Sequence, residues 1–182
     1  MEYLHTILEA IDNHWIVEFE YHSFNKKSHT HQKLIPCFLK TWEQRWYLIA
    51  EPLSRKTPTV YALERISNIR LLQEKHLPSP HIDPLHYFEG SYGINHDDSK
   101  PLLIKIKVYG SQVDYIKARP LHESQQEIES CDDWSIFTYW LKPSYNLYQN
   151  LLWHREKIEV LEPISVREEI YKIINEMLNR YK

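Results

Sequence analysis

The order of apolar and polar positions predicts one helix, a run of short strands, and then a mixed α/β segment. Over residues 4–11, apolar side chains recur at the spacing of one helix face. Over residues 15–21, apolar positions alternate with acidic ones, as in a half-buried strand. Further short strands, separated by turn residues, are predicted over residues 33–40, 45–50, 59–63 and 66–72. One helix followed by five short strands predicts a small β-barrel.

A stretch rich in proline and turn residues, residues 76–101, separates this part from the rest of the chain. We predict a linker there, with one helical turn at residues 84–88. Two domains are therefore expected, residues 1–95 and residues 96–182.

The second half alternates strand and helix patterns in the order β-α-β-β-α-β, which is the ferredoxin-like arrangement. The predicted strands cover residues 102–109, 125–130, 134–141 and 158–161, and helices are expected at 111–117 and 144–154. The predicted fold class is α+β, a small barrel followed by a ferredoxin-like domain with a C-terminal helix.

The last helix has the clearest pattern. Ser165 and Glu168 have the spacing of a capping box, and apolar side chains follow at helical spacing over residues 166–181. So wide an apolar face needs a partner, which is either its own domain or a second subunit.

Composition places the chain among cytoplasmic globular proteins. No apolar run approaches the roughly 20 residues of a membrane span, and the N-terminus has no secretory pattern. The two cysteines, Cys37 and Cys131, are too few for a disulfide framework.

The net charge of -3 conceals a basic segment. Residues 23–72 hold nine lysines and arginines and three glutamates, whereas residues 77–182 hold twelve bases and sixteen acids. The basic segment indicates either an anionic partner or a solvated strand face.

Common catalytic and cofactor motifs are absent from the sequence. Three glycines exclude phosphate-binding glycine loops, and neither CxxC nor HExxH occurs. His29 and His31 have no nearby carboxylate or cysteine ligand in sequence, so a solvated turn is favoured over a metal site. We expect no cofactor, no metal and no catalytic residues, and predict that the chain is not an enzyme.

Aromatic residues and arginines occur together on two neighbouring strands. In extended strands, Tyr47 shares a face with Arg45, and Tyr61 shares a face with Arg65. Aromatic faces stack nucleobases and arginine pairs with phosphate, which is how small barrels hold single-stranded nucleic acid. The alternative is that these aromatics are core residues, which is our interpretation of Trp46 and Leu48.

Together these motifs resemble the WYL-domain family. The resemblance lies in their order and spacing, and it extends over nearly the whole chain. The matching segments are Phe19-x-Tyr21, Ile35-Pro36, Trp46-Tyr47-Leu48, residues 62–66, residues 117–125 and the tail at residues 158–163.

The resemblance implies an Sm-like or SH3-like barrel followed by a ferredoxin-like extension. Family members are mostly bacterial transcriptional regulators with an N-terminal helix-turn-helix, and the barrel is thought to bind an effector such as single-stranded DNA. This chain starts directly at the helix before the barrel. We therefore expect either a piece of a longer regulator or a stand-alone sensor, which contacts duplex DNA only through a helix-turn-helix outside these residues.

Two departures from the family pattern affect the expected ligand patch. Gln32 and Thr59 stand where the family usually has arginines. We expect Tyr47 and Arg65 to form the centre of the ligand-binding site, with further contributions from Tyr21, Lys33, Arg45 and Tyr61.

The function predicted from the sequence is an effector-sensing module that binds an oligonucleotide or nucleotide-like anion and pairs as a homodimer. The alternatives are a ligand-free oligomerisation domain and, less favoured, a nucleic-acid-processing enzyme.

Overall fold

A computed structural model describes residues 3–24, 29–55, 57–78, 82–95 and 99–182. The chain forms two compact units, Met1–Tyr87 and Phe88–Lys182. The two functional domains expected on either side of residues 95 and 96 stay a prediction. Within the described residues, no helix is long and apolar enough to cross a membrane.

The N-terminal unit is a helix followed by one antiparallel sheet. Its elements are α1 (Leu4–Asn13), β1 (Trp15–His22), β2 (His29–Trp42), β3 (Arg45–Pro52), β4 (Thr59–Ala62), a 3-10 turn (Leu63–Arg65) and β5 (Ile66–Lys75). The strand order is β4-β3-β2-β1-β5, so β1 pairs with both β2 and β5. The five predicted strands are confirmed, although β2 begins at His29 rather than at residue 33.

The core of this unit forms where α1 packs on the alternating strand positions. Ile7 of α1 and Val17 and Phe19 of β1 have no exposed surface. Leu34 and Leu48 complete the same cluster from β2 and β3. Full burial of such a side chain stabilises the fold by roughly 1.5–3 kcal/mol, so this cluster fixes which face of each strand points inward.

A two-residue hairpin between β2 and β3 sets the position of the residues that follow it. Trp42 pairs with Arg45, and the two residues between them, Glu43 and Gln44, have positive φ angles of 46° and 64°. Two consecutive left-handed residues are the backbone of a type I′ turn, whose twist matches that of the flanking strands. The hairpin therefore turns tightly and brings Arg45 to the tip of the sheet.

The C-terminal unit has the predicted β-α-β-β-α-β order, which confirms the ferredoxin-like arrangement. Its elements are β6 (Leu102–Tyr109), α2 (Gln112–Ala118), β7 (Gln126–Ser130), β8 (Trp134–Leu141), α3 (Tyr145–Trp153), a 3-10 turn (Arg155–Lys157), β9 (Ile158–Glu162) and α4 (Ile164–Asn179). The antiparallel strand order is β7-β8-β6-β9. The core contains Ile104, Ile106, Phe137 and Tyr139 from the two central strands, packed with Ile116 of α2 and Leu147 of α3. The α+β fold class is confirmed.

Part of the expected linker belongs to this unit. Gly90 has a φ angle of 65°, and a Cβ atom there would lie 2.6 Å from Cγ of Pro101. Its carbonyl accepts a hydrogen bond of 2.7 Å from the backbone N–H of Lys142. Tyr92 packs against the core of the same unit. Only glycine combines this left-handed backbone with so close an approach.

The single helical turn expected at residues 84–88 is present, since the backbone N–H of Tyr87 donates a hydrogen bond of 2.8 Å to the carbonyl of Asp83, four residues earlier. Two other local predictions are corrected by the structure. Leu63–Arg65 is a 3-10 turn, so Arg65 does not share an extended strand face with Tyr61. The capping box at Ser165 is wrong, because α4 begins at Ile164 after Pro163 and has no side-chain cap.

Helix α3 has a side-chain cap at Ser144. The Ser144 hydroxyl oxygen accepts a hydrogen bond from the backbone N–H of Leu147. Such a bond satisfies one of the unpaired N–H groups at the start of a helix and contributes about 1 kcal/mol.

Candidate functional site

An open cleft of about 620 Å³ lies at one end of the N-terminal unit. Its lining combines aromatic, apolar and charged side chains. The residues are Tyr3, Phe24, Gln44, Arg45, Trp46, Leu63, Glu64 and Ile66. Aromatic faces together with a few placed polar groups are the features of a small-ligand site.

Two local structures bring most of these residues together. The tight hairpin presents Gln44, Arg45 and Trp46 at the start of β3, where the strand emerges from the core. The 3-10 turn after β4 presents Leu63 and Glu64. Trp46 is half-buried and lines the cleft, which corrects its interpretation as a core residue, whereas Leu48 is fully buried as predicted.

Arg65 is held against an aromatic ring beside this cleft. Its guanidinium carbon lies 3.6 Å from the centroid of the Phe24 ring, a cation–π contact. Phe24 is 69% exposed, so its ring forms an outer wall over the arginine. The Nε atom of Arg65 is buried and has no hydrogen-bond partner among the described residues. A buried donor without a hydrogen-bond partner costs free energy, so an acceptor that binds next to it is stabilised.

Arg45 pairs with Glu64 across the mouth of the cleft, with 3.5 Å between Nη1 of Arg45 and Oε1 of Glu64. Both side chains are largely exposed, so the pair contributes only about 0.2–1 kcal/mol and can be rearranged by a ligand. Tyr47 lies behind them and is buried. Burial raises the pKa of its hydroxyl, as does the charge of Glu64, while Arg45 and Arg65 oppose the shift. The hydroxyl therefore stays protonated at neutral pH.

Tyr61 lies in the core and Tyr21 is half-buried against it, and neither lines the cleft. Their rings meet edge to face with centroids 5.0 Å apart, and Tyr61 is only 4% exposed. The Tyr21 hydroxyl oxygen accepts a hydrogen bond of 3.2 Å from the backbone N–H of Ala62. Burial raises the pKa of Tyr61. The Tyr21–Tyr61 pair therefore supports the backbone at the end of β4, directly before the 3-10 turn.

Lys33 lies at a different place on the sheet. It pairs across β1 and β2 with Glu18, and its Nζ lies 3.5 Å from Oε1 of that residue. Tyr47, in contrast, is opposite Lys40 near the other end of β2. The structure therefore brings Arg45, Tyr47 and Arg65 together and leaves Lys33 apart from them.

The side chains of the cleft offer groups for binding a ligand. In the part of the chain that the structure describes, no group of three or more His, Cys, Asp or Glu side chains is placed to hold a metal ion. Two guanidinium groups, one carboxylate and two open aromatic rings offer charge pairing, hydrogen bonding and stacking instead.

The sequence reasoning missed Phe24, Trp46 and Glu64 as cleft residues. Trp46 gave no clear signal, because it shares a strand face with Leu48, which is fully buried. Phe24 gave no periodic signal, since it follows β1 in a turn.

Family models match both units. A WYL domain model matches residues 2–71, and a WCX domain model matches residues 100–178. No curated protein sequence matches the chain significantly.

Two solved structures are similar in fold. One is described as a CRISPR Cas-related protein. It is 11% identical with a TM-score of 0.54, and the match covers 97% of this chain and 50% of the other. The second is proteasome accessory factor B/C (PafBC) of Arthrobacter aurescens, 13% identical with a TM-score of 0.43, covering 90% of this chain and 25% of that one.

This chain thus spans half or less of the length of each of these structures. The likeness to the CRISPR Cas-related protein extends over both units and concerns the fold alone. The two domain models, in the order that the motifs predict, identify the family: the chain belongs to the WYL-domain proteins, with a WYL domain followed by a WCX domain.

Proposed function

We propose that this chain is the effector-sensing module of a WYL-type transcriptional regulator, and that its cleft binds a short single-stranded oligonucleotide or a nucleotide-like anion. One observation carries the proposal: Arg65 is stacked on Phe24, its Nε has no partner among the described residues, and it lies beside a cleft lined by Trp46 and Arg45.

The arginines supply the phosphate contacts. Because Phe24 holds the guanidinium of Arg65 in one orientation, less side-chain entropy is lost when a phosphate oxygen arrives. The phosphate oxygen also gives Nε of Arg65 the hydrogen-bond acceptor that it lacks among the described residues. Arg45 offers a second contact once it turns from Glu64, and the weak surface pair does little to prevent this.

The aromatic residues supply the base contacts. Trp46 is half-buried, so its ring is fixed and still accessible, and stacking of one base on such a ring contributes about 1–3 kcal/mol. Glu64 accepts hydrogen bonds only, and we propose that it faces an amino or imino N–H of the base. The same carboxylate repels additional phosphate, which favours a short ligand over a long polyanion.

The remaining parts of the proposal concern assembly. We propose a non-enzymatic cytoplasmic homodimer, and assign duplex DNA recognition to a helix-turn-helix outside these residues. A dimer with two-fold symmetry matches the two half-sites that a pair of helix-turn-helix domains contacts on duplex DNA.

The salt dependence of oligonucleotide affinity tests this proposal. With two arginine contacts, the log–log slope of affinity against salt is expected to be about -1.4, since each contact to a single strand contributes about -0.7. The affinity is expected to be on the order of micromolar at physiological salt. Fluorescence anisotropy with a labelled pentanucleotide, titrated at several salt concentrations, measures both.

The same strand annealed to its complement is the control. It is expected to bind more weakly, because paired bases are not available for stacking. Equal or tighter binding of the duplex, or an affinity independent of salt, would contradict the proposal.

A further inference from the structure

Two side chains of the cleft can form hydrogen bonds with the edge of a base. Glu64 belongs to the 3-10 turn after β4, and Gln44 belongs to the tight hairpin before β3. Both line the cleft, as does Trp46. Because β3 and β4 are paired, with Tyr47 opposite Ala62, the start of β3 and the turn after β4 lie at the same end of the sheet. A carboxylate and an amide are therefore presented to the same ligand.

The carboxylate of Glu64 is accessible and only partly engaged. Its contact with Arg45, 3.5 Å from Nη1, uses Oε1 alone. The side chain is 45% exposed, so a ligand can reach it. When Arg45 turns to a phosphate, both oxygens of Glu64 become available and can accept two parallel hydrogen bonds.

Guanine is the natural base whose edge matches a free carboxylate. Its Watson–Crick edge has two adjacent donors, N1–H and the N2 amino group, followed by the acceptor O6. A carboxylate accepts from both donors, and the NH2 group of an amide donates to O6. Adenine and cytosine have one donor beside a ring nitrogen that is an acceptor, and thymine and uracil have one donor between two carbonyls. None of these four can give a carboxylate two hydrogen bonds from this edge.

The backbone at Gln44 supports a role for its side chain. Its φ angle of 64° is left-handed, and it occupies the second central position of a type I′ turn. Glycine is favoured at that position, so a residue with a side chain is strained there. Backbone strain of this kind is concentrated at ligand-binding and active sites. The hairpin thus retains a side chain that lines the cleft at a position where glycine would relieve the strain.

We propose that the cleft selects guanine. Glu64 accepts hydrogen bonds from N1–H and N2–H of the base, Gln44 donates to O6, and the ring of Trp46 stacks on the face of the base. This inference rests on the proposed function and names the base that the cleft binds.

Pentanucleotides that differ at one base test the preference. Labelled strands of thymidine with a central guanine, adenine, cytosine or hypoxanthine are titrated with wild type and followed by fluorescence anisotropy. The guanine strand is expected to bind roughly 5- to 150-fold more tightly than the adenine and cytosine strands, the range for one bidentate contact to a base. Hypoxanthine keeps N1–H and O6 but lacks the N2 amino group, so its strand is expected to have an intermediate affinity.

The outcomes of this titration distinguish the two claims. If no strand binds, the proposed function and the guanine assignment are both wrong. If the strands bind with equal affinity, or the adenine strand binds most tightly, the oligonucleotide site stands and the guanine assignment is wrong.

Glu64→Gln tests whether the carboxylate carries the preference. It keeps the size of the side chain and replaces one acceptor oxygen with a donor, so the ratio of guanine to adenine affinity is expected to fall at least about fivefold. Glu43→Gln is the matched control, because it makes the same change of charge at an exposed hairpin position that does not line the cleft. It is expected to keep the ratio of wild type. Glu64→Gln with the wild-type ratio would overturn the assignment.

Gln44→Gly separates a binding role from a structural one. Glycine suits the left-handed backbone, so the melting temperature is expected to equal or exceed that of wild type. The ratio of guanine to adenine affinity is expected to fall roughly 2- to 10-fold, the range for one neutral hydrogen bond. If the variant keeps the wild-type ratio, Gln44 does not contact the base and its part in the proposal is wrong.

Discussion

Replacing Arg65 with alanine is expected to weaken binding of a short single-stranded oligonucleotide by roughly 10- to 150-fold. This corresponds to about 1.5–3 kcal/mol, the range for a hydrogen bond to a charged group. The physical reason is that Arg65, beside the cleft, packs against the Phe24 ring and has a buried Nε that lacks a partner among the described residues. Isothermal titration calorimetry with a pentanucleotide measures the loss.

Arg70→Ala is the matched control for this prediction. Arg70 is an exposed arginine on β5, opposite Glu18 of β1, and it does not line the cleft. It changes net charge by the same amount, so its effect is expected to stay below about threefold. If Arg65→Ala melts at the same temperature as wild type and binds the pentanucleotide as tightly, Arg65 is not part of the site.

Replacing Phe19 with alanine is expected to destabilise the N-terminal unit by about 3–5 kcal/mol, as for other buried phenylalanines. Phe19 has no exposed surface, and its ring meets that of Tyr61 with centroids 5.5 Å apart. A unit of this size loses roughly 4–8 °C of melting temperature per kcal/mol, so the shift is large. Thermal unfolding followed by near-ultraviolet circular dichroism measures it.

The same substitution at Phe24 gives an internal comparison. Phe24 is 69% exposed, and its main described contact is the cation–π contact with Arg65, worth about 0.5–1 kcal/mol at exposed sites. Phe24→Ala is therefore expected to leave the melting temperature nearly unchanged while weakening oligonucleotide binding. If the two alanine variants were equally unstable, the inferred core would be misplaced.

Strand positions in both units could be predicted from the sequence because alternation follows directly from strand geometry. The strands Leu102–Tyr109 and Trp134–Leu141 have the predicted bounds, since lysines alternate with apolar residues in the first and the second is a short run of mostly aromatic and β-branched residues. The start of α4 was harder to predict. Ser165 and Glu168 have the spacing of a capping box with Ser165 as N-cap, yet the N-cap is Pro163 and the helix begins at Ile164, two residues earlier than that spacing predicts.

The cleft was only partly predictable. The sequence indicated arginines and aromatics on neighbouring strands, and Arg45, Tyr47 and Arg65 do lie close together. It gave no measure of depth, so it did not indicate that Tyr61 is buried and that Tyr21 is half-buried against the core. Their part in ligand binding stays a prediction. The cleft also depends on a 3-10 turn and on Phe24 packing over an arginine distant in sequence. Tertiary contacts of this kind produce no periodic pattern of apolar residues along the sequence.

The central claim is that the Trp46 side of the cleft holds a nucleobase. The most direct test is a titration of a labelled pentanucleotide against wild type, Trp46→Ala and Trp153→Ala. Trp153 is 80% exposed on α3 of the other unit and serves as the control. Wild type and Trp153→Ala are predicted to bind alike with affinity on the order of micromolar, and Trp46→Ala is predicted to lose about 1–3 kcal/mol, the value of one stacked base. Wild type that binds no oligonucleotide, or Trp46→Ala that binds as tightly as Trp153→Ala, would contradict it.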